Sequence, residues 1–150
     1  MFYLHHSVIR TFSGPAIPPA GPSPVDGMIV KQKGYRNVRK TNQRPSAGIV
    51  YFYLPWRGQK SVELGYWLGK QYWGQGIATR AAKQLCDYAF CTLDINRICA
   101  SALEANTGSW RVMEKLGMRR EGRFVKAIYQ DGEFFDDLYY AVLREEYRLT

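Results

Sequence analysis

Two glycines one residue apart, Gly74 and Gly76, stand between a β-prone run and a long amphipathic repeat, and this junction limits the folds open to the chain. Before it, residues 61–68 (SVELGYWL) read as a strand with Gly65 in its middle, where a glycine marks a bulge or a close backbone approach. After it, Ile77, Ala81, Leu85, Ala89 and Leu93 recur every four residues, with Ala78, Ala82 and Cys86 alongside. Lys83, Gln84 and Asp87 fall on the other side, so the pattern predicts a helix over 75–93. A strand that turns through glycines into a helix lets backbone approach a ligand closely. The first helical N–H groups lack partners and the helix dipole favours an anion, so a pyrophosphate is the natural guest. A tight turn with no ligand accounts for the two glycines equally well. The loop fits neither common phosphate motif. A P-loop requires Lys-Ser/Thr where Ile77-Ala78 stand, and a dinucleotide fingerprint requires a glycine at Thr79 and an acidic residue about twenty positions on.

The flanking segments fill in a mixed α/β order. Residues 48–54 (GIVYFYL) and 97–103 (RICASAL) read as strands, with 55–60 (PWRGQK) a turn. Asn106-Thr107 is a helix start, Leu116 the helix end and Gly117 its stop. Residues 118–129 and 133–143 read as two strands around Gln130-Asp131-Gly132, where Asp-Gly signals a hairpin. The stretch before residue 47 is different. Residues 14–24 carry five of the seven prolines and exclude a helix or a central strand. Residues 31–44 (KQKGYRNVRKTNQR) are basic with almost no apolar periodicity and suit a solvated arm, while Met28-Ile29-Val30 suits a short strand. The chain is therefore divided into an atypical arm, 1–46, and a folded domain, 47–150.

At 150 residues this is one domain's worth of chain, and a hydrophobic share of 46% with 23% charged residues supplies a core and argues against global disorder. No apolar run approaches the roughly 18 residues that span a bilayer, and the first twelve residues lack signal-peptide features, so no membrane association and a cytoplasmic location are expected. The net charge of +8 favours polyanionic partners such as nucleic acid or a phosphorylated cofactor. Cys86, Cys91 and Cys99 form no C-x-x-C pair and no Cys/His cluster has ligand spacing, so buried thiols are expected and a metal is not.

The loop resembles another phosphate-binding element. Gln71-x-x-Gly74-x-Gly76 followed by Ala78 and a helix is similar to the coenzyme A pyrophosphate loop of the GNAT family of N-acetyltransferases. Glu63-Leu64-Gly65-Tyr66-Trp67-Leu68 precedes it at the family's spacing. Asp87-Tyr88-Ala89-Phe90, Asn96-Arg97-Ile98, the block from Asn106 through Ser109 to Glu114-Lys115-Leu116-Gly117-Met118, Asp131-Gly132-Glu133 and Leu143-Arg144-Glu145-Glu146-Tyr147 follow in the family's order. Over 47–147 the chain is similar to the subgroup that acetylates N-terminal residues of ribosomal proteins (RimJ/RimL-like). The resemblance implies a mixed, mostly antiparallel twisted sheet with helices on its faces and one splayed strand pair. The family's N-terminal strand and its two helices walling the acceptor site are not found in residues 1–46.

The resemblance also implies a chemistry: an amine attacks the thioester of acetyl-CoA directly, with no metal. Backbone of Tyr66, Trp67 and Leu68 would pair with the pantetheine arm. Gln71 and the amides of Gly74, Gln75, Gly76, Ile77, Ala78 and Thr79 would hold the pyrophosphate, with Arg80 or Lys83 towards the 3′-phosphate. Asn106 would hydrogen-bond pantetheine, and capping a helix is an equal role for it. Ser109 would donate to the leaving thiolate, or be an ordinary first-turn serine. Glu63 would accept the amine's proton, with Glu104 second, while strand alternation alone also places Glu63 on an exposed side. The acceptor is a protein N-terminus or a small amine. Two rival functions stand beside this one: a coenzyme A-binding remnant without catalysis, and a basic nucleic-acid-binding module using 31–44. A missing acceptor wall leaves an apolar face that a homodimer would cover.

Overall fold

The structure is a computed structural model, and it describes residues 28–32, 48–53 and 60–149. Six strands and two helices follow in the order β1 (Met28–Gln32), β2 (Gly48–Tyr53), β3 (Ser61–Leu68), α1 (Ile77–Thr92), β4 (Arg97–Leu103), α2 (Thr107–Lys115), β5 (Arg119–Gln130) and β6 (Glu133–Leu143). They form one sheet in the order β1-β2-β3-β4-β6-β5. The β1–β2 and β3–β4 pairs are parallel, and the other three are antiparallel. The predicted alternation of strands and helices is thus observed, and Met28-Ile29-Val30 lies within a strand that joins the same sheet. The expectation that 1–46 lacks the two family helices falls, apart from β1, on residues outside those described, as does the reading of 31–44 beyond Gln32.

Alternation decides which face each strand buries. Val50 and Phe52 of β2, Val62, Leu64 and Tyr66 of β3, Ile98, Ala100 and Ala102 of β4, and Leu138, Tyr140 and Val142 of β6 share one face. Against it pack Ala81, Ala82, Leu85, Cys86, Ala89 and Phe90 of α1 and Met113 of α2, in one continuous core. Both described helices therefore lie on the same side of the sheet. The small residues along α1 let the helix approach the strands closely, and removing this face from water is the main stabilising term.

Local chemistry sets the element ends. Helix α1 begins at Ile77, two residues later than its periodicity predicts, because Gly76 has φ 70°, a left-handed conformation that a helix interior does not accept. At the far end of α1 the guanidinium of Arg144, just after β6, donates to the carbonyls of Phe90, Leu93 (2.7 Å) and Ile95 (2.8 Å). A helix C-terminus leaves its last carbonyls short of backbone donors, and of these three the Leu93 carbonyl also accepts from the Ile95 N–H at 2.9 Å. Asn106 caps α2, its Oδ1 accepting from the Ser109 N–H at 3.3 Å.

Two irregularities differ from expectation. The β2–β3 register runs unbroken from Gly48↔Leu68 to Tyr53↔Glu63, so Gly65 makes no bulge in that pairing. The bulges lie in β5 instead, between Arg120 and Gly122 and between Phe124 and Ile128. In the second, Lys126 takes φ 52° and its N–H donates to Asp136 Oδ1 at 2.7 Å. Asp131 and Gly132, both at positive φ, make the two-residue turn that the Asp-Gly pair predicts.

Replacing Arg144 by Ala strips the last turn of α1 of a charged donor to three carbonyls. The expected loss is about 1–3 kcal/mol of unfolding free energy. Urea denaturation measures it, and Arg144→Lys, with a single ammonium in place of a planar fork, should restore less than half.

Candidate active site

Strands β3 and β4 pair at only three positions, Ser61↔Arg97, Val62↔Ile98 and Glu63↔Cys99. Beyond Glu63 they part. Each stays held on its other side, β3 by β2 as far as Leu68 and β4 by β6 as far as Leu103. The result is a wedge in the sheet, opening towards the C-terminal ends of both strands. A cleft in it is lined by Tyr51, Glu63, Leu64, Gly65, Ser101, Ala102, Leu103, Asn106, Ile128, Gln130 and Asp137.

The glycine loop stands at the end of the same strand. Leu68 is followed by a 3-10 turn, Lys70–Tyr72, then by Gly74 at φ 74° and Gly76 at φ 70°. Gly74, Gln75 and Gly76 are exposed, and Ile77, Ala78 and Thr79 form the half-buried first turn of α1. No side chain caps that turn, and it holds no acidic residue. A Cβ at Gly74 would meet nothing within 4 Å, so this glycine answers a backbone requirement and not a crowded one. The loop is braced from within: Gln75 Nε2 donates to the Gln71 carbonyl at 3.2 Å, Arg80 Nη1 to the Gln75 carbonyl at 3.0 Å, and Trp73 Nε1 to the Leu68 carbonyl at 2.8 Å. Arg80 thus stands over the loop. Lys83 is turned away, with its ammonium on Asp87 (3.4 Å), the Tyr147 hydroxyl (3.3 Å) and the Arg148 carbonyl (3.0 Å).

The sequence-predicted residues do not all come together. Gln71, Gly74, Gln75, Gly76, Ile77, Ala78 and Thr79 come together as the loop and helix start. Glu63 and Asn106 face the cleft. Tyr66, Trp67 and Leu68 continue β3 along the wedge, and they differ in exposure: Tyr66 is buried in the core, whereas Trp67 is 46% exposed. Ser109 lies in the first turn of α2 and is not among the cleft-lining residues. Glu104, the second candidate acid, is exposed and paired with Arg123 at 2.8 Å.

One contact crosses the wedge on the helix side. The Tyr66 hydroxyl, on the parted half of β3, donates to the Ser109 carbonyl at 2.7 Å. Burial pushes the Tyr66 pKa well up, so its O–H remains a donor. The bond ties the strand leading to the glycine loop to the helix that follows β4. It fixes Asn106 and Ser109 relative to that loop.

Of the other cleft residues, the sequence marks Gly65 but gives no role at the site to Tyr51 or Asp137. Tyr51 lies in a run, GIVYFY, where every residue suits a strand and the alternation does not show which side chains are core. Asp137 carried a signal: it is a charged residue within the apolar half of β6, and it is only 8% exposed. Cys99 lies beside Glu63 in the register, and burial followed by the Glu63 charge raises its pKa. All three cysteines are free. Among the described residues no group of three or more His, Cys, Asp or Glu side chains is arranged to hold a metal ion, and no helix is long and apolar enough to cross a membrane.

Known proteins resemble this chain in sequence and in fold. A sequence model described as an acetyltransferase (GNAT) domain matches residues 26–119. YnaD, an uncharacterized N-acetyltransferase of Bacillus subtilis (strain 168), is 39% identical over 100 residues, which are 67% of this chain and 58% of that protein. The crystal structure of a GNAT-family acetyltransferase from Bacillus anthracis superposes with a TM-score of 0.63 at 39% identity, covering 68% of this chain and 61% of that one. RimL, the ribosomal L7/L12 alpha-N-protein acetyltransferase, in complex with coenzyme A, superposes with a TM-score of 0.54 at 28% identity, covering 56% and 48%. The chain spans about half to three-fifths of the length of these relatives.

Replacing Tyr66 by Phe removes the tie across the wedge and little else. The expected loss is about 1 kcal/mol of stability. The sharper readout is amide hydrogen exchange, which should speed up in the first turn of α2 while the centre of α1 stays protected.

Proposed function

The chain belongs to the acetyltransferase (GNAT) domain family, and from that premise we propose that it is an N-acetyltransferase that takes acetyl-CoA as donor and a primary amine as acceptor. The observation that carries this reading is the parting of β3 and β4 directly after Glu63, with an uncapped helix start and two left-handed glycines at the end of the parted strand. The coenzyme A bound to the structural relative RimL supports the choice of donor.

The residues present fit such a donor. A pyrophosphate needs convergent N–H donors and positive potential. The amides from Gly74 to Thr79, the helix dipole and Arg80 offer both. An extended pantetheine arm needs a free strand edge, and β3 beyond Glu63 has one on the β4 side. Asn106 has a second carbonyl lone pair and an amide N–H beyond its capping bond. The donor supplies an acyl thioester. The chain has three tasks: to hold the amine nitrogen at the carbonyl carbon, to take its proton, and to offer a hydrogen bond to the departing thiolate. Glu63, at the point where the strands part, is assigned the proton. Ser109 is assigned the thiolate, as a donor rather than a tuned acid, since a serine hydroxyl is a poor acid at neutral pH. A backbone N–H on the wedge edge of β3 is assigned the oxyanion.

The competing reading is a domain that binds coenzyme A without catalysis. Free thiol release from acetyl-CoA over a panel of amines, beside calorimetric coenzyme A binding, separates the two. Binding without release on every amine selects the competitor.

Two variants test the assignments. Gly76→Asp places a carboxylate against the pyrophosphate and a side chain at a left-handed position. It should weaken coenzyme A binding far more than it lowers the melting temperature, and unchanged affinity in a folded variant removes the loop from the site. Glu63→Gln and Ser109→Ala should each lower kcat by about 10²–10⁴-fold with coenzyme A affinity nearly constant. Glu63→Gln should also flatten the low-pH limb of the rate profile. Losses under about threefold in both variants would reject the assignment.

A further inference from the structure

Gly65 is explained by one side chain. Its partner across the β2–β3 register is Tyr51, and a Cβ on Gly65 would stand 2.6 Å from the Tyr51 hydroxyl oxygen and 2.7 Å from the ring carbon Cε2. No residue with a side chain leaves room for that ring. Val50 and Phe52 point into the core, so Tyr51 points to the face away from the helices. From there the ring crosses β3 at Gly65 and its end reaches the cleft, where Tyr51 and Glu63 are both lining residues. Glu63 pairs with Tyr53, two residues along from the Gly65↔Tyr51 pair, so Tyr51 and Glu63 are diagonal neighbours on one face of the sheet.

We propose that Tyr51, laid across the notch at Gly65, orients the acceptor amine beside Glu63 and selects primary over secondary amines. This rests on the N-acetyltransferase reading and adds to it a specificity residue on the side of the sheet away from the helices. The chemistry is a matter of counting. A neutral primary amine has two N–H groups and one lone pair. One N–H reaches the Tyr51 oxygen, the other the Glu63 carboxylate, and the lone pair is left directed at the acyl carbon. A neutral secondary amine has one N–H and leaves one of the two acceptors without a bond, a loss that a site built for both does not recover. Burial, followed by the charge of Glu63, raises the Tyr51 pKa, so the phenol stays neutral at working pH and does not bind the amine as a counter-ion. The pairing also gives Gly65 a task that the unbroken β2–β3 register does not.

The test uses the full chain with acetyl-CoA and three primary amines, benzylamine, 1,3-diaminopropane and alaninamide, each beside its N-methyl derivative. Tyr51→Phe keeps the ring and removes the hydroxyl. Its expected effect is a fall of about tenfold in kcat/KM for the primary amines, with the primary-to-secondary ratio falling in proportion and coenzyme A affinity within about twofold. Gly65→Ala should produce the same acceptor-side loss by displacing the ring. In a Tyr51→Ala background, where that space is vacant, it should add less than about twofold. If Gly65→Ala does not fold, Tyr51→Phe decides alone. An unchanged kcat/KM and an unchanged ratio in Tyr51→Phe overturn the inference while wild-type transfer leaves the enzyme reading standing. A Tyr51→Phe loss that appears in coenzyme A affinity instead also overturns it. A wild-type chain that binds coenzyme A and acetylates none of the amines removes the reading and the inference together.

Discussion

Everything at the site depends on two parallel strands that pair for three residues and then separate. Unpaired backbone inside a sheet is unfavourable unless something else holds the strands in place. Here each strand is held from outside. β3 keeps its register with β2 to Leu68, and β4 keeps its register with β6 to Leu103. The sheet is in effect two halves, β1-β2-β3 with α1 and β4-β6-β5 with α2, joined by the short Ser61–Glu63 pairing, the bond from Tyr66 to Ser109, the Arg144 contacts at the end of α1 and one common core. The wedge is therefore a built feature of the fold and does not require a strand to be displaced when a ligand enters.

The two halves of the site differ in charge. The loop and the start of α1 present backbone N–H groups with Arg80 above them and no acidic residue in the first turn. Among the described residues, the cleft beyond Glu63 is lined by Glu63 and Asp137 and by no Lys, Arg or His. A basic chain with a locally acidic cleft is arranged to hold a polyanion at one end and to receive a cationic group at the other. Other charges of the described residues pair with one another away from the site. One network runs from Arg97 through Glu121 and Arg119 to Glu146, spanning β4, β5 and the turn after β6.

Much of this was legible in the chain itself. The ends of β3, β4 and β6 coincide with the predicted 61–68, 97–103 and 133–143, helped by Gly69 after β3, Asn96 before β4 and Gly132 before β6. The glycine loop was legible for the same reason, since only a special backbone conformation needs Gly-x-Gly at that place. The face of β2 was not legible. GIVYFY satisfies strand chemistry at every position, and only tertiary packing chooses Val50 and Phe52 over Tyr51. Gly65 carried a signal with two meanings, a bulge or a close approach, and it was a ring from the neighbouring strand that made the glycine necessary. The separation of β3 from β4 has no local signature, because it depends on where two non-adjacent segments stop pairing. The bulges of β5 were equally hidden: Lys126 at positive φ is held by Asp136, ten residues away and on another strand.

Those bulges bear on what the described sheet can join. β5 lies at one end of it, and a long bare edge strand is a template on which another chain can grow. From Phe124 to Ile128, β5 advances four positions against only two of β6, and Glu121 is an extra residue near the other end. A strand approaching this border would meet N–H and C=O groups whose spacing changes twice along its length. Regular growth is interrupted at both places, so Phe124, Val125 and Tyr129 stand exposed on a border that is geometrically unfit to be copied.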